Sequence, residues 1–168
     1  MGYVHDTHMS QFIPPTAFHC VTGTWTLAAG QVAGTIVKIK SANAETSVIN
    51  IPIIIPSNSV ALKGAKLASV EIDYEIRTQA ATSITATCNK VTRGADGSDA
   101  TVTAVAVTQD LTAGTDAADV DEHKLTVTVT TPTWCDNDDY VLLVISAVCA
   151  AGTVLEFLGA VANFTLRM

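Results

Sequence analysis

The chain is short of charge. Asp, Glu, Lys and Arg make up 15% of its 168 residues, against about 25% in ordinary globular domains. Disorder needs the reverse of this balance, high charge with low hydrophobicity, so the chain has to fold. Cations are scarcest: nine Lys and Arg against sixteen Asp and Glu leave a formal net charge of −7. Nucleic-acid binding rests on clustered cations that neutralise phosphates, and that partner is excluded. No apolar run approaches the ~18 residues of a membrane span. The strongest candidate, 140–154, is broken by Ser146, Gly152 and Thr153, so no membrane partner is expected. The N-terminus has no basic segment followed by an apolar one, hence no secretory signal, and Asp6 stands where a myristoylation motif needs Ser or Thr.

Four cysteines (Cys20, Cys88, Cys135, Cys149) are widely spaced and contain no Cys-x-x-Cys pair. They read as free thiols of a chain made in a reducing cytoplasm. No Gly-x-Ser-x-Gly elbow and no Gly-rich phosphate loop occurs, and three of the four histidines sit at 5, 8 and 19. Neither nucleophilic catalysis nor a bound cofactor is expected. His5, His8 and His19-Cys20 have no second anchored pair to complete a metal site. Two acidic stretches, Asp110–Glu122 and Asp136–Asp139, are oxygen-rich but lack EF-hand spacing. Before either reads as a calcium site, Asp110–Glu122 reads as a solvated acidic loop and Asp136–Asp139 as a turn, since Asp and Asn bond their own backbone in turns.

Periodicity sets the class. Val70, Ile72, Tyr74 and Ile76 alternate with Glu71, Asp73, Glu75 and Arg77, and Leu125, Val127 and Val129 alternate with threonines. A period of two is the mark of half-buried strands, and β-branched side chains suit a pleated surface. Segments 34–40, 47–55, 83–91, 101–108, 140–149 and 155–167 bring the set to about eight strands. Breaker clusters at 93–99, 113–116 and 150–152 separate them. The expected fold is all-β: an antiparallel, jelly-roll-like β-sandwich over 34–168, preceded by an extended arm over 1–33.

Three stretches point outward. Residues 1–37 hold no Lys or Arg and one acid, Asp6, while carrying Tyr3, Phe12, Ile13, Phe18 and Trp25. A free tail is normally solvated by charge, so this arm is expected to dock on a neighbouring subunit; the alternative is that it packs back on its own sandwich through Trp25. Ile49, Ile51, Ile53 and Ile55 alternate around Pro52; proline cannot donate to a ladder, so the strand belongs at a sheet edge, with Ile51 and Ile53 as further contacts for whatever covers it. The segment 140–149 is apolar on both faces: it is covered on both sides, or one face meets a partner. Trp134 either caps the core or faces a ligand.

From about Ile49 to Leu166 the order of features resembles a β-sandwich module of tailed-phage virion proteins, of the head-decoration, fibre or baseplate type. The resemblance rests on Ile51-Pro52-Ile53-Ile54-Ile55-Pro56, the strand Gly64 to Tyr74, the passage from Pro132 through Asp139-Tyr140-Val141-Leu142-Leu143-Val144, and Phe157-Leu158-Gly159-Ala160-Val161. The four cysteines and the long neutral arm depart from that pattern. The resemblance implies a non-enzymatic structural subunit of a virion, made in the host cytoplasm, with head decoration or stabilisation as its role. Its partners would be a major capsid protein or sister subunits, in a homo-oligomer with a trimer favoured. Two other readings follow from the residues. One is a receptor- or glycan-binding module of a fibre or cell surface. The other is a self-assembling filament subunit whose arm completes a neighbour's sheet.

Overall fold

The computed structural model describes residues 6–56, 64–110, 117–135 and 138–167. They form twelve strands and two single-turn 3-10 segments, with no α-helix among the described residues. The strands are β1 (Asp6–Ile13), β2 (His19–Thr22), β3 (Trp25–Ala29), β4 (Ile36–Lys40), β5 (Glu45–Ile54), β6 (Ala65–Arg77), β7 (Ala81–Thr92), β8 (Thr101–Val105), β9 (Val107–Gln109), β10 (Glu122–Val129), β11 (Asp139–Cys149) and β12 (Val154–Arg167). Two antiparallel sheets face each other. A seven-stranded sheet runs β3-β4-β12-β6-β10-β9, with β1 also on β12, and a five-stranded sheet runs β2-β5-β11-β7-β8. From β4 onward the chain keeps crossing between the sheets, which gives the jelly-roll character expected from the sequence.

The alternation read in the sequence becomes burial. Ile49, Ile51 and Ile53 of β5, Val70, Ile72, Tyr74 and Ile76 of β6, Leu143 and Ile145 of β11 and Phe157 and Phe164 of β12 are all almost fully buried between the sheets. The eight expected strands are present. The segment 101–108 is two strands rather than one: β8 leaves the five-stranded sheet at Val105 and β9 enters the other at Val107. Where β8 departs, the Gln109 side chain takes its place, accepting from the Ala86 N–H at 2.9 Å and donating to the Ala86 carbonyl at 3.0 Å. Buried backbone groups need such partners.

The division into an arm over 1–33 and a sandwich from 34 requires correction. β1 pairs residue by residue with β12 from Asp6↔Arg167 to Ile13↔Ala160, β2 pairs with β5, and β3 pairs with β4. The segment supplies three strands to its own sandwich and buries Ile13, Pro15 and Phe18 in it. Phe18 is buried, with its ring 6.1 Å from Phe157, and the Trp25 ring lies 5.6 Å from the same side chain. Phe12 lies across Gly159, a residue of β12 at φ +152, where an added Cβ would meet the ring at 2.8 Å. Glycine is needed there because the bulge and the ring take the space a side chain would fill.

Candidate functional site

The two outer sheet faces differ in charge. On the seven-stranded sheet Glu71, Asp73 and Glu75 of β6 stand beside Lys124 and Glu122 of β10 in register. Lys124 donates to Glu71 at 2.9 Å and Asn163 donates to it at 3.1 Å, which together hold that carboxyl below the usual carboxylate range. This is an ordinary solvated face.

The five-stranded sheet is unlike it. Its outward residues are Thr46, Val48, Asn50, Pro52 and Ile54 on β5, Tyr140, Leu142, Val144, Ser146 and Val148 on β11, and Ser83, Thr85, Thr87, Asn89 and Val91 on β7. None of these is Asp, Glu, Lys or Arg. Ladder pairing sorts them into rows across the sheet. Neutral hydrogen-bonding groups occupy the middle, where Asn50, Val144 and Thr87 form one row and Val48, Ser146 and Thr85 the next. The far row is apolar: Ile54, Tyr140, Val91 and Val102 stand side by side, with Ile54 69%, Tyr140 42% and Val102 63% exposed.

That row ends at a groove. The turn after β7 and the approach to β11 border an open groove of about 480 Å³ lined by Val91, Arg93, Gly94, Ser98, Ala100, Asp138, Asp139 and Tyr140, within the roughly 300–1,000 Å³ of small-ligand sites. Its walls are held firmly. The Arg93 N–H donates to the Asp138 carbonyl at 2.8 Å, and the Asp139 carboxylate accepts from Thr92 Oγ1 at 2.5 Å and Lys90 Nζ at 3.3 Å. Tyr140 therefore stands where an uncharged sheet face meets a mostly apolar pocket that carries Arg93, Asp138 and Asp139 in its wall.

The residues expected to meet a partner are scattered by the fold. Ile13, Phe18, Ile51 and Ile53 are buried in the core of their own chain, so they are corrected from partner contacts to core, because each points between the two sheets. Trp25 packs on Phe157 and donates its indole N–H to the Thr22 carbonyl at 3.0 Å, which makes it a home contact as well. Phe12, 61% exposed, is the one of these still open to solvent among the described residues. Tyr3 lies outside the described residues. Among the described residues Pro52 lies on an open stretch: β2 reaches only from Val48 to Asn50, and beyond it β5 pairs there with β11 alone.

Trp134 is half-buried with Lys66 Nζ 4.5 Å above its ring, so that face of the indole is covered. In the acidic stretches, residues 111–116 and 136–137 lie outside the described residues. Asp110 accepts from the Thr126 N–H at 2.7 Å and Asp121 from the Glu122 N–H at 2.8 Å, both as backbone caps. The four cysteines are unbridged. Burial, with Cys135 nearby, pushes the Cys88 thiol up to about 11, which keeps it protonated and unreactive near neutral pH. The candidate site residues that the sequence did not single out are Tyr140, Asn89, Thr87 and Asn50. Their one signal was the apolar character of 140–149 on both faces. β11 is central within its sheet, yet among the described residues no element covers its outward face.

No family model matches the chain, and no curated protein matches it. Among solved structures it is similar to a family 29 carbohydrate-binding module from Piromyces equi, at 11% identity over 94% of this chain and 91% of the other, TM-score 0.45. A CBM22-1 xylan-binding domain from Paenibacillus barcinonensis is 13% identical over 92% of each chain, TM-score 0.40. The enzymatically active domain of a tailspike protein of bacteriophage CBA120 is 6% identical over 93% of this chain and 19% of that one, TM-score 0.36. Likenesses this distant do not identify a ligand for this chain.

Proposed function

We propose that this protein is a non-catalytic glycan-binding module whose ligand lies along the outer face of the five-stranded sheet, with one end in the groove beside Tyr140. One observation carries the reading. Fifteen outward positions on β5, β7 and β11 hold no charged side chain, in a protein whose other face is charged. A neutral sugar chain presents hydroxyls and apolar C–H faces but no formal charge. Asn50, Asn89, Thr85 and Thr87 match the hydroxyls, and the Tyr140 ring, with Leu142 and Ile54 beside it, matches the C–H faces. Binding of this kind needs no general base or nucleophile.

The test is retardation of the chain in native gels cast with neutral polysaccharides (xylan, mixed-linkage glucan and mannan), followed by titration calorimetry with the polymer that retards it. Tyr140→Ala is expected to weaken binding at least about tenfold, about 1.4 kcal/mol, while unfolding stability changes by less than about 1 kcal/mol, because the side chain is exposed. Migration unaffected by every polymer, or full affinity in Tyr140→Ala, would overturn the reading.

A second reading is favoured by Ile54 and Val102, exposed aliphatic side chains in the same row. Such groups suit a dry protein contact better than a sugar. On that reading the face docks the chain on a viral particle, against a major capsid protein or sister subunits, as a virion structural protein. Ile54→Lys would then abolish co-sedimentation with particles, whereas glycan retardation would be absent from the start.

A further inference from the structure

The edges of the two sheets are guarded unequally. Bare edges invite pairing with other strands, and β proteins blunt them with shortness, Pro, Lys or a bulge. Here β2, β3, β8 and β9 are four, five, five and three residues long. β1 has eight residues, and between Asp6 and Ile13 it contains no Pro, Lys or Arg. Its ladder with β12 runs without a bulge from one end to the other. β12 lies on one side of β1, and no strand among the described residues lies on the other.

We infer that β1 is a self-pairing edge: two copies of this chain join antiparallel through β1 about a twofold axis, so that their seven-stranded sheets become one continuous sheet. The occupant has to be a strand, because the open side of β1 presents alternating N–H and C=O groups. A second β1 fits by pattern and by charge. Along β1, Asp6, His8, Ser10 and Phe12 face solvent, while Thr7, Met9 and Gln11 lean inward and Ile13 is buried. Antiparallel pairing keeps each face consistent only if outward residues oppose outward ones. The twofold axis therefore passes between the two copies of a residue near the middle, Met9 or Ser10. Either register places the two Asp6 side chains at opposite ends of the ladder, so no like charges meet. It also continues the half-buried row of Met9 over the core edge against which Met9 already packs. Such an interface is isologous and closes at two copies. It uses the seven-stranded sheet and leaves the proposed ligand face free.

Light scattering on a sizing column should give twice the chain mass for the full protein. Ser10→Lys, the guarding charge this edge lacks, should return it to one chain mass with an unchanged circular dichroism spectrum. In a Cys20→Ser background, which removes the exposed cysteine, Met9→Cys or Ser10→Cys should form a disulfide-linked dimer on mild oxidation. Thr7→Cys should not, because in both registers its two copies lie well over the ~7 Å that a disulfide can span. A monomer at all concentrations, a trimer, or a dimer that survives Ser10→Lys and is cross-linked by neither cysteine would overturn the inference.

Discussion

Replacing Lys40 with methionine is expected to cost about 3–5 kcal/mol of stability, one of the largest single-site losses in the chain. Lys40 ends β4 and is fully buried. Its Nζ donates to the Ser41 carbonyl at 2.6 Å, the Asn43 carbonyl at 2.7 Å and the Thr153 carbonyl at 3.1 Å, and lies 3.9 Å from Glu45. One ammonium thus ties the β4–β5 connection to the turn before β12. Methionine fills the volume but donates nothing, which leaves three carbonyls without that partner at about 1–3 kcal/mol each and strips Glu45 of its neighbouring cation. Urea denaturation of the variant measures the loss. A drop below about 1 kcal/mol would mean that water replaces the ammonium and that the lysine is no clasp.

Phe157→Ala is expected to cost about as much, roughly 3–5 kcal/mol, for a different reason. The ring is buried at the junction of Phe18 at 6.1 Å, Trp25 at 5.6 Å and Tyr74 at 6.2 Å. It binds the N-terminal strands to the rest of the core. Truncation opens a cavity and loosens Trp25, so the loss of stability should come with a red shift of tryptophan emission. Calorimetry and fluorescence on the same sample check both. An unshifted spectrum with a loss under about 1.5 kcal/mol would mean that Phe18 and Trp25 keep their packing without this ring.

These two residues mark what a sequence of this kind makes legible. The alternation around Ile72 and Val127 is a local pattern with a local cause, and it identifies strands and class directly. Lys40 gives no such signal: it sits in Ile36–Lys40 like any surface lysine, and its burial is created by carbonyls up to 113 residues away. Phe18 and Trp25 carried the right message, that they must be buried, but not by what. A charge-poor arm packed at home has the same composition as one packed on a neighbour. β1 escaped notice because its inward Thr7 and Gln11 are polar and its outward Phe12 is apolar, so no apolar alternation shows, and β2 and β3, four and five residues long, are too short to establish a period. The proposed ligand face was half legible. The segment 140–149 announced that both its faces are apolar. That Asn50, Asn89 and Thr87 line up beside it depends on ladder register, which no single segment encodes.

The most direct test of the central claim is a map of backbone amide shifts on titration with a soluble neutral oligosaccharide cut from whichever polymer retards the chain. The account predicts perturbations clustered on β5, β7 and β11, centred on Tyr140, Leu142, Asn89 and Asn50, and on the groove wall at Arg93 and Ser98. Residues 71–75 and 122–126 of the opposite face should stay unmoved. Shifts confined to that charged face, or no shifts with any neutral sugar, would contradict it.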